Sequence, residues 1–345
     1  MKRKLMVWGG AGVLLLLLSV TISLSIGTVH VPLWHVWGIL AHHLPWVGGT
    51  VPVEWQPASE QIIWRVRLPR VLLGVLVGAS LGIAGAAFQG VLRNPLADPY
   101  TLGVSSGASV GAAFLILFGL QFALLGTGTV PVVAFITGAL SLVTVILLAR
   151  SGGKMRMEAL ILSGVVMQAF LGAFVSFMVA MSKQVINEIV FWLMGSLALR
   201  GWMYSLVLLP YLAIGVIILL GYGRAMNLFA LGEQQAAYLG VRVERTKLVV
   251  LTAATLVTAA AVSVSGVVGF VGLIVPHLLR LIVGPDYRLL LPLSLIGGAV
   301  YVLWADTLAR TLLSPTEIPL GVVTAFMGAP FFAYLLKRNK RLSGE

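Results

Sequence analysis

Ser105 and Ser106 stand beside Gly107, and His277 lies far down the chain. A serine with a histidine is the minimum for an activated nucleophile, so these residues admit the chemistry of an intramembrane protease. Serines next to glycines are also ordinary packing residues of closely approaching helices. His30, His35, His42 and His43 cluster in one stretch and admit metal or haem ligation, although interfacial histidines are more often simply solvated. With no cysteine in the chain, thiolate ligands and thiol nucleophiles are excluded. Gly152-Gly153-Lys154 lacks the spacing and the hydroxyl residue of a Walker phosphate loop, so ATP is not expected to bind here by that route. A proton-coupled carrier should hold carboxylates near mid-membrane, whereas most of the 11 Asp and Glu residues fall at span ends or in loops.

Three features ask for more than packing. Arg65, Arg67, Arg70 and Arg310 offer planar forks suited to carboxylates, so an acidic soluble partner is one reading. Lipid headgroups, or an internal pair with Asp306 one helical turn before Arg310, is the other. The segment 227–243 is too polar to span, yet Leu228, Leu231, Ala236 and Leu239 recur at helical spacing. That apolar face must find protein, either this chain as a cap or a partner into which a short helix docks. Arg93-Asn94-Pro95-Leu96-Ala97-Asp98-Pro99 is a stiff, helix-breaking turn.

The elements that position these residues follow from composition. Of 345 residues 59% are hydrophobic and 10% charged, with mean hydropathy +1.03, against about 25% charged in soluble domains. Apolar runs cover 5–26, 68–90, 101–118, 130–149, 159–181, 203–222, 247–264, 268–283, 289–309 and 319–336. Ten spans of about 20 residues leave only short connections, so residues 1–345 form a single all-α transmembrane domain. The first run follows Lys2, Arg3 and Lys4. It exceeds the length of a signal h-region and lacks a clear cleavage site, so it reads as a retained helix. The stretch 186–199 is short and carries Glu188, which makes it an interfacial or re-entrant helix.

Net charge is +12, a value that would suggest nucleic acid in a soluble chain. Here its distribution is topogenic: seventeen of the 23 Lys and Arg residues fall in one alternate set of loops, which places both termini in the cytoplasm. Gly74, Gly78 and Gly82 in the second span, and Gly103, Gly107 and Gly111 in the third, form smooth ridges for close helix packing.

At these residues the sequence resembles the FecCD-type permeases of ABC importers, which carry iron–siderophore complexes, haem or cobalamin. The resemblance runs through Arg67-Leu68-Pro69-Arg70, Gly85-Ala86-Ala87-Phe88-Gln89, Asn94-Pro95-Leu96-Ala97-Asp98-Pro99 and Leu102-Gly103-Val104-Ser105-Ser106-Gly107-Ala108. It continues through Ala230-Leu231-Gly232-Glu233, the run from Gly269 to Arg280 including Pro276-His277, and Glu317-Ile318-Pro319-Leu320-Gly321. It implies a BtuC-like ABC importer fold of ten helices in a bacterial plasma membrane. A second permease subunit, the same chain or a close relative, would share a pathway at the subunit interface. Two ATPase subunits would hold ATP and Mg inside, a solute-binding protein would dock outside, and this chain itself would hold no cofactor and perform no catalysis.

The resemblance also assigns residues. The stretch 229–240 looks like the coupling helix that fits a cleft of the ATPase, with Leu231, Gly232, Glu233, Ala236, Ala237, Leu239 and Gly240 at the contact. Arg67, Arg70 and Arg310 match arginines that receive glutamates of the binding protein. Asn94 and Leu96 match a cytoplasmic gate whose other half corresponds to Met157 and Glu158, where the cobalamin-type pattern has small hydroxyl residues. Gln168, Phe174, Phe177 and Met178 are candidates for lining the pathway. The implied cargo is a bulky metal chelate, an iron–siderophore first, with cobalamin or haem as alternatives. A secondary carrier driven by an ion gradient is the rival of a different class.

Overall fold

The structure, a computed structural model, describes residues 2–46, 48–122, 126–151 and 154–343; Gly152 and Gly153, considered above as a phosphate loop, lie outside them. It is helical almost throughout. In chain order, α1 is Lys2–Ser25, α2 Leu33–His42 and α3 Pro57–Gln61. A π-helical stretch Ile62–Arg67 joins α3 to α4, Leu68–Leu92. A 3-10 turn at Pro99–Leu102 precedes α5 (Val104–Phe118), which is followed by α6 (Thr129–Ala149). Strands β1 (Arg150–Ser151) and β2 (Lys154–Met155) pair antiparallel before α7 (Met157–Met181). Then come α8 (Ile186–Leu193), α9 (Trp202–Gly221), α10 (Gly223–Phe229) and α11 (Glu233–Tyr238). The chain closes with α12 (Val243–Ser265), α13 (Val271–Val283), α14 (Tyr287–Ala309) and α15 (Leu320–Ser343).

Among the described residues seven helices are long and apolar enough to cross a membrane, and three shorter apolar helices, Val104–Phe118, Val271–Val283 and Leu320–Tyr334, accompany them. Each coincides with one of the apolar runs. The second begins earlier than the sequence suggests, because the π stretch carries Pro57–Leu92 as one continuous helix. The 15-residue α5 is only about 22 Å long, and the preceding 3-10 turn extends it.

The core is built on α4, which packs against α14, α12 and α13. Glycine explains how closely these helices approach. A Cβ on Gly78 or Gly82 would collide with backbone of Gly298 or Ser294 on α14, and one on Gly85 with backbone of Gly272 on α13. Gly107 and Gly111 do the same for α5 against α6 at Thr137 and Ser141. Without a hydrophobic drive between helices in lipid, such backbone contact supplies the attraction. The outer helices are bare by contrast: 17% of the apolar stretch of α7 is buried against 83% in α4.

The bundle has two chemically distinct ends. One, the basic end, joins Arg93, Glu233, Lys247 and Met155 through mutual contacts and carries Arg280, bonded to Gln89, and Asp286, bonded to Asn227. At the other, the far end, Arg67, Arg70 and Arg310 meet Asp306 and Glu317. Helix α1 runs alongside α14 in the same direction, as Ser19 meets Trp304 and Ser23 meets Thr307. Helix α15 starts beside Met194 and Gly195 and passes Phe270 at Gly328. Both chain ends therefore point toward the basic end.

Candidate functional site

The segment predicted as one helix over 229–240 is split. Helix α10 stops at Phe229, and α11 covers only Glu233–Tyr238. Gly232 (φ 112°) and Gly240 (φ 86°) bracket it, conformations that other residues resist. The expected single apolar face is therefore corrected. Ala236 is fully buried, whereas Leu231, Tyr238 and Leu239 are 60%, 89% and 59% exposed. One side of this elbow grips the bundle, and the other presents large apolar groups outward.

The grip is electrostatic. Lys247, at the start of α12, is 2% exposed. Its Nζ donates to Glu233 Oε2 at 2.6 Å, to Glu244 Oε1 at 3.3 Å and to the Met155 carbonyl at 3.4 Å, which uses all three ammonium protons. Glu244 Oε2 accepts from the Met155 amide at 2.9 Å. Glu233 Oε1 lies 4.0 Å from Arg93 Nη2. Arg93 closes α4 in the left-handed region at φ 49°. A glycine would fit that backbone with less strain, but only a long cation can also reach Glu233. Glu233, expected to face a partner, is thus turned toward its own chain.

The gate candidates sit on either side of this cluster. Asn94 Oδ1 accepts from the Leu96 amide at 2.9 Å, and Leu96 is half exposed. Met157 packs against the core while Glu158 stays exposed, 3.4 Å from Arg156. Among the described residues no hydrogen bond or ion pair joins Asn94 or Leu96 to Met157 or Glu158 in one chain. Nearby, Asn227 of α10 donates to Asp286 Oδ1 at 2.6 Å and accepts from the Tyr287 amide at 2.8 Å. Asp286 caps α14 and pairs with Arg288 at 2.7 Å. Arg288 first, then Asn227, holds the Asp286 carboxyl below the usual carboxylate range.

At the far end, of the two readings left open by the sequence, the internal pairing with Asp306 is present, and Arg67, Arg70 and Arg310 are not free outward groups. Arg67 is 5%, Arg70 9% and Arg310 5% exposed. Arg67 Nη1 donates to the carbonyls of Leu24 (2.7 Å) and Ser25 (2.9 Å), and Nη2 to that of Val29. It satisfies carbonyls that the end of α1 leaves without helical partners. Arg70 forks onto both oxygens of Asp306 at 2.9–3.1 Å and onto Glu317 at 2.8 and 3.0 Å. Arg310 Nη2 meets Ser23 Oγ at 2.7 Å, while its buried Nε has no hydrogen-bond partner. All three line a cavity of about 180 Å³ with Glu317 at its edge, the Glu317 side chain being 40% exposed. Arg65 is the exposed arginine of this set.

The pathway candidates divide by helical phase. Leu160, Gly164, Gln168, Val175 and Met178 share the inward side of α7; Gln168 donates to the Tyr100 carbonyl, and Met178 packs on Ala113 and Ile189. Phe174 and Phe177 lie outward with Phe170 and Met181, at 47% and 61% exposure. Gln168 and Met178 thus make their contacts within this chain. Of the histidines, His42 bonds the Gly48 carbonyl at 3.1 Å, and His43 stacks on Trp64 at 3.9 Å and lies 3.5 Å from Glu60. His277 lies against Phe332.

Sequence reasoning missed the Lys247 cluster. The available signal is a lysine opening an apolar run three residues after Glu244, a charge that topogenic placement alone would explain.

With this geometry in view, comparisons place the chain. The FecCD transport family matches residues 15–338. The ABC transporter permease YvrB of Bacillus subtilis, itself uncharacterized, is 44% identical over 327 residues, covering 94% of this chain and 92% of that one. The cobalamin import permease BtuC of Halobacterium salinarum is 43% identical over 326 residues, 93% of this chain and 86% of that one. A solved structure described as an inward-facing ABC transporter of metal-chelate type superposes with TM-score 0.81 at 34% identity, covering 98% of this chain and 100% of that chain.

Proposed function

Since the chain belongs to the FecCD transport family, the membrane permease component of ABC importers for metal chelates, we propose that it forms the pathway of an ATP-driven importer and takes its motion from a separate ATPase. The chain is a multi-pass membrane protein and not itself a catalyst. In this reading all ten apolar helices cross, and the basic end faces the cytoplasm. Two copies enclose the pathway, two ATPase subunits holding ATP and Mg grip the elbows, and a binding protein delivers the chelate to the far end.

One observation supports it above the rest. Leu231, Tyr238 and Leu239 project from an elbow whose opposite side is anchored by Ala236 and Lys247. Apolar side chains held outward on an anchored, polar-flanked segment suit the cleft of a partner rather than water or lipid. ATP closure of that partner would draw the elbows with it and shift the bundle between its two openings, with Asn94, Leu96, Met157 and Glu158 at the gate. The outward aromatics Phe174 and Phe177 suit a wide, accommodating wall between the two copies. At the far end, the arginine-lined cavity suits an incoming carboxylate of the binding protein, which would exchange with Glu317 while Asp306 keeps Arg70 in place.

The cargo we propose is a ferric siderophore. Cobalamin is the second reading, favoured by the 43% identity to a cobalamin permease. The test is reconstitution with the ATPase subunits and binding protein in vesicles, offering a ferric hydroxamate, cyanocobalamin and haem in turn. Uptake that requires ATP inside is expected. Uptake by this chain alone on an ion gradient would replace the importer reading with a secondary carrier.

A further inference from the structure

We propose that Lys247 is a positioning residue of transport: it makes the coupling elbow and the entry to α7 one moving part. The proposal rests on the importer reading above and adds to it the joint through which motion would reach the gate.

The argument starts from cost. Burying an ammonium in a membrane bundle is unfavourable unless every donor is met and the charge is balanced. Lys247 meets both conditions, and it does so with partners from three separate places in the chain. Glu233 belongs to α11, Glu244 to the same helix as the lysine, and Met155 to β2, two residues before α7 begins. Glu244 closes the triangle by accepting from the Met155 amide at 2.9 Å, so the strand is held through both its N–H and its C=O. Arg93 adds the second cation 4.0 Å from Glu233 and brings in the turn that carries Asn94 and Leu96. Two cations and two carboxylates thus balance where three short segments meet.

None of these segments is rigid alone. Strand β2 has two residues and α11 has six, far short of what a free helix or hairpin needs for stability. Their geometry is inherited from α12, the buried post that carries Lys247. A partner that displaces Leu231, Tyr238 and Leu239 displaces Glu233 with them. Among the described residues Lys247 and Arg93 are the charged links from Glu233 to the entry of α7 and to the 93–98 turn, whereas the backbone between β2 and α11 runs the length of α7, α8, α9 and α10.

The natural absence of cysteine allows a direct test in the complete transporter, assembled with its ATPase subunits in lipid nanodiscs. Spin labels on Q234C and R156C, both exposed positions, report the distance between elbow and α7 entry. In a separate sample, the rate at which an impermeant maleimide modifies L96C reports the gate. With Lys247 present, the distance between the two labels of one copy is expected to stay narrow both without nucleotide and with trapped ATP, and ATP should change the L96C rate. In K247M the distance distribution should broaden and the ATP-dependent change at L96C should shrink about tenfold, the scale of losing charge-assisted hydrogen bonds, while the ATPase continues to turn over. An unchanged distance distribution, or an ATP response at L96C as large as that of the parent, overturns the proposal. Should K247M fail to assemble, E233Q combined with E244Q keeps the lysine and the side-chain shapes and is read on the same two quantities. If ATP has no effect on L96C even with Lys247 in place, the importer reading fails instead.

Discussion

Among the described residues four cations are almost fully buried: Arg67, Arg70 and Arg310 at the far end and Lys247 at the basic end. Burial does not separate them, but their acceptors do. The far-end arginines bind the last carbonyls of α1 and a carboxylate fixed on α14, which belong to long helices already locked together. Lys247 binds a strand of two residues and a helix of six whose outer faces are open. The first arrangement fastens long elements to one another. The second gathers short elements that have no stability of their own, and whatever moves one moves the others. The same physical device, a satisfied buried cation, therefore serves as a scaffold at one end and a joint at the other.

The largest predicted effect breaks the scaffold side. R70M leaves Asp306, 1% exposed, as a buried carboxylate without its fork, and removal of one partner from such a pair costs about 3–5 kcal/mol. The expected outcome is loss of assembled protein, or a steep fall in unfolding temperature in detergent, with function lost only as a consequence. Next comes the joint side. L231E combined with L239E should cost about 2 kcal/mol of ATPase binding, as for residues at the centre of an interface. The permease itself should unfold within about 0.5 kcal/mol of the parent, since both positions are exposed. Pull-down of the ATPase beside a melting curve separates the two. If the double variant melts early yet still binds its ATPase, the elbow is a cap on this chain.

How much of this contrast was legible in the sequence depends on the range of the interaction. The helices could be read because each is a property of its own apolar run, and the glycine ridges because Gly78 and Gly82 repeat on one face of one helix. The 227–243 segment is legible by its apolar periodicity, but the helix that the resemblance implies over 229–240 is too long, since neither signal registers that Gly232 and Gly240 take positive φ. The arginines are legible as a set, but the sequence leaves open whether they face a partner or pair internally with Asp306. Arg70 meets residues 236 and 247 positions away, and Arg67 meets backbone carbonyls, acceptors that every residue carries. The Lys247 cluster was missed for the same reason, because its third partner is also a carbonyl. Phe174 and Phe177 separated from Gln168 and Met178 only once the phase of α7 was set by its contacts with α5.

A smaller effect sharpens the basic end. D286A removes the cap of α14 and the anchor of Asn227, at a cost of about 1 kcal/mol expected for a helix cap; the exposed pair with Arg288 adds little. Because the folded state holds the Asp286 carboxyl low, its contribution is present above the unfolded pKa of about 4 and is lost as pH falls through the folded value. The melting curves of parent and variant should therefore differ at neutral pH and draw together in strong acid. A gap that widens on acidification contradicts the assignment.

The smallest predicted effect decides whether the far end is scaffold alone. Glu317 occupies one edge of the Arg70 guanidinium with 40% of its side chain exposed, whereas Asp306 holds the other edge with 2% exposed. Two carboxylates on one arginine are more than fastening requires, and the exposed one is cheap to displace. E317Q should leave the fold intact, because Asp306 still forks onto Nε and Nη2. It should also raise affinity for an acidic binding protein about threefold at low salt, the scale of a partly exposed pair. The gain should vanish at high ionic strength, where the attraction is screened. Weaker capture by E317Q would mean that Glu317 shapes the rim instead of holding a place. Equal capture at both salt concentrations would mean that the cavity receives no carboxylate, and that the far-end arginines do nothing beyond joining α1, α4 and α14.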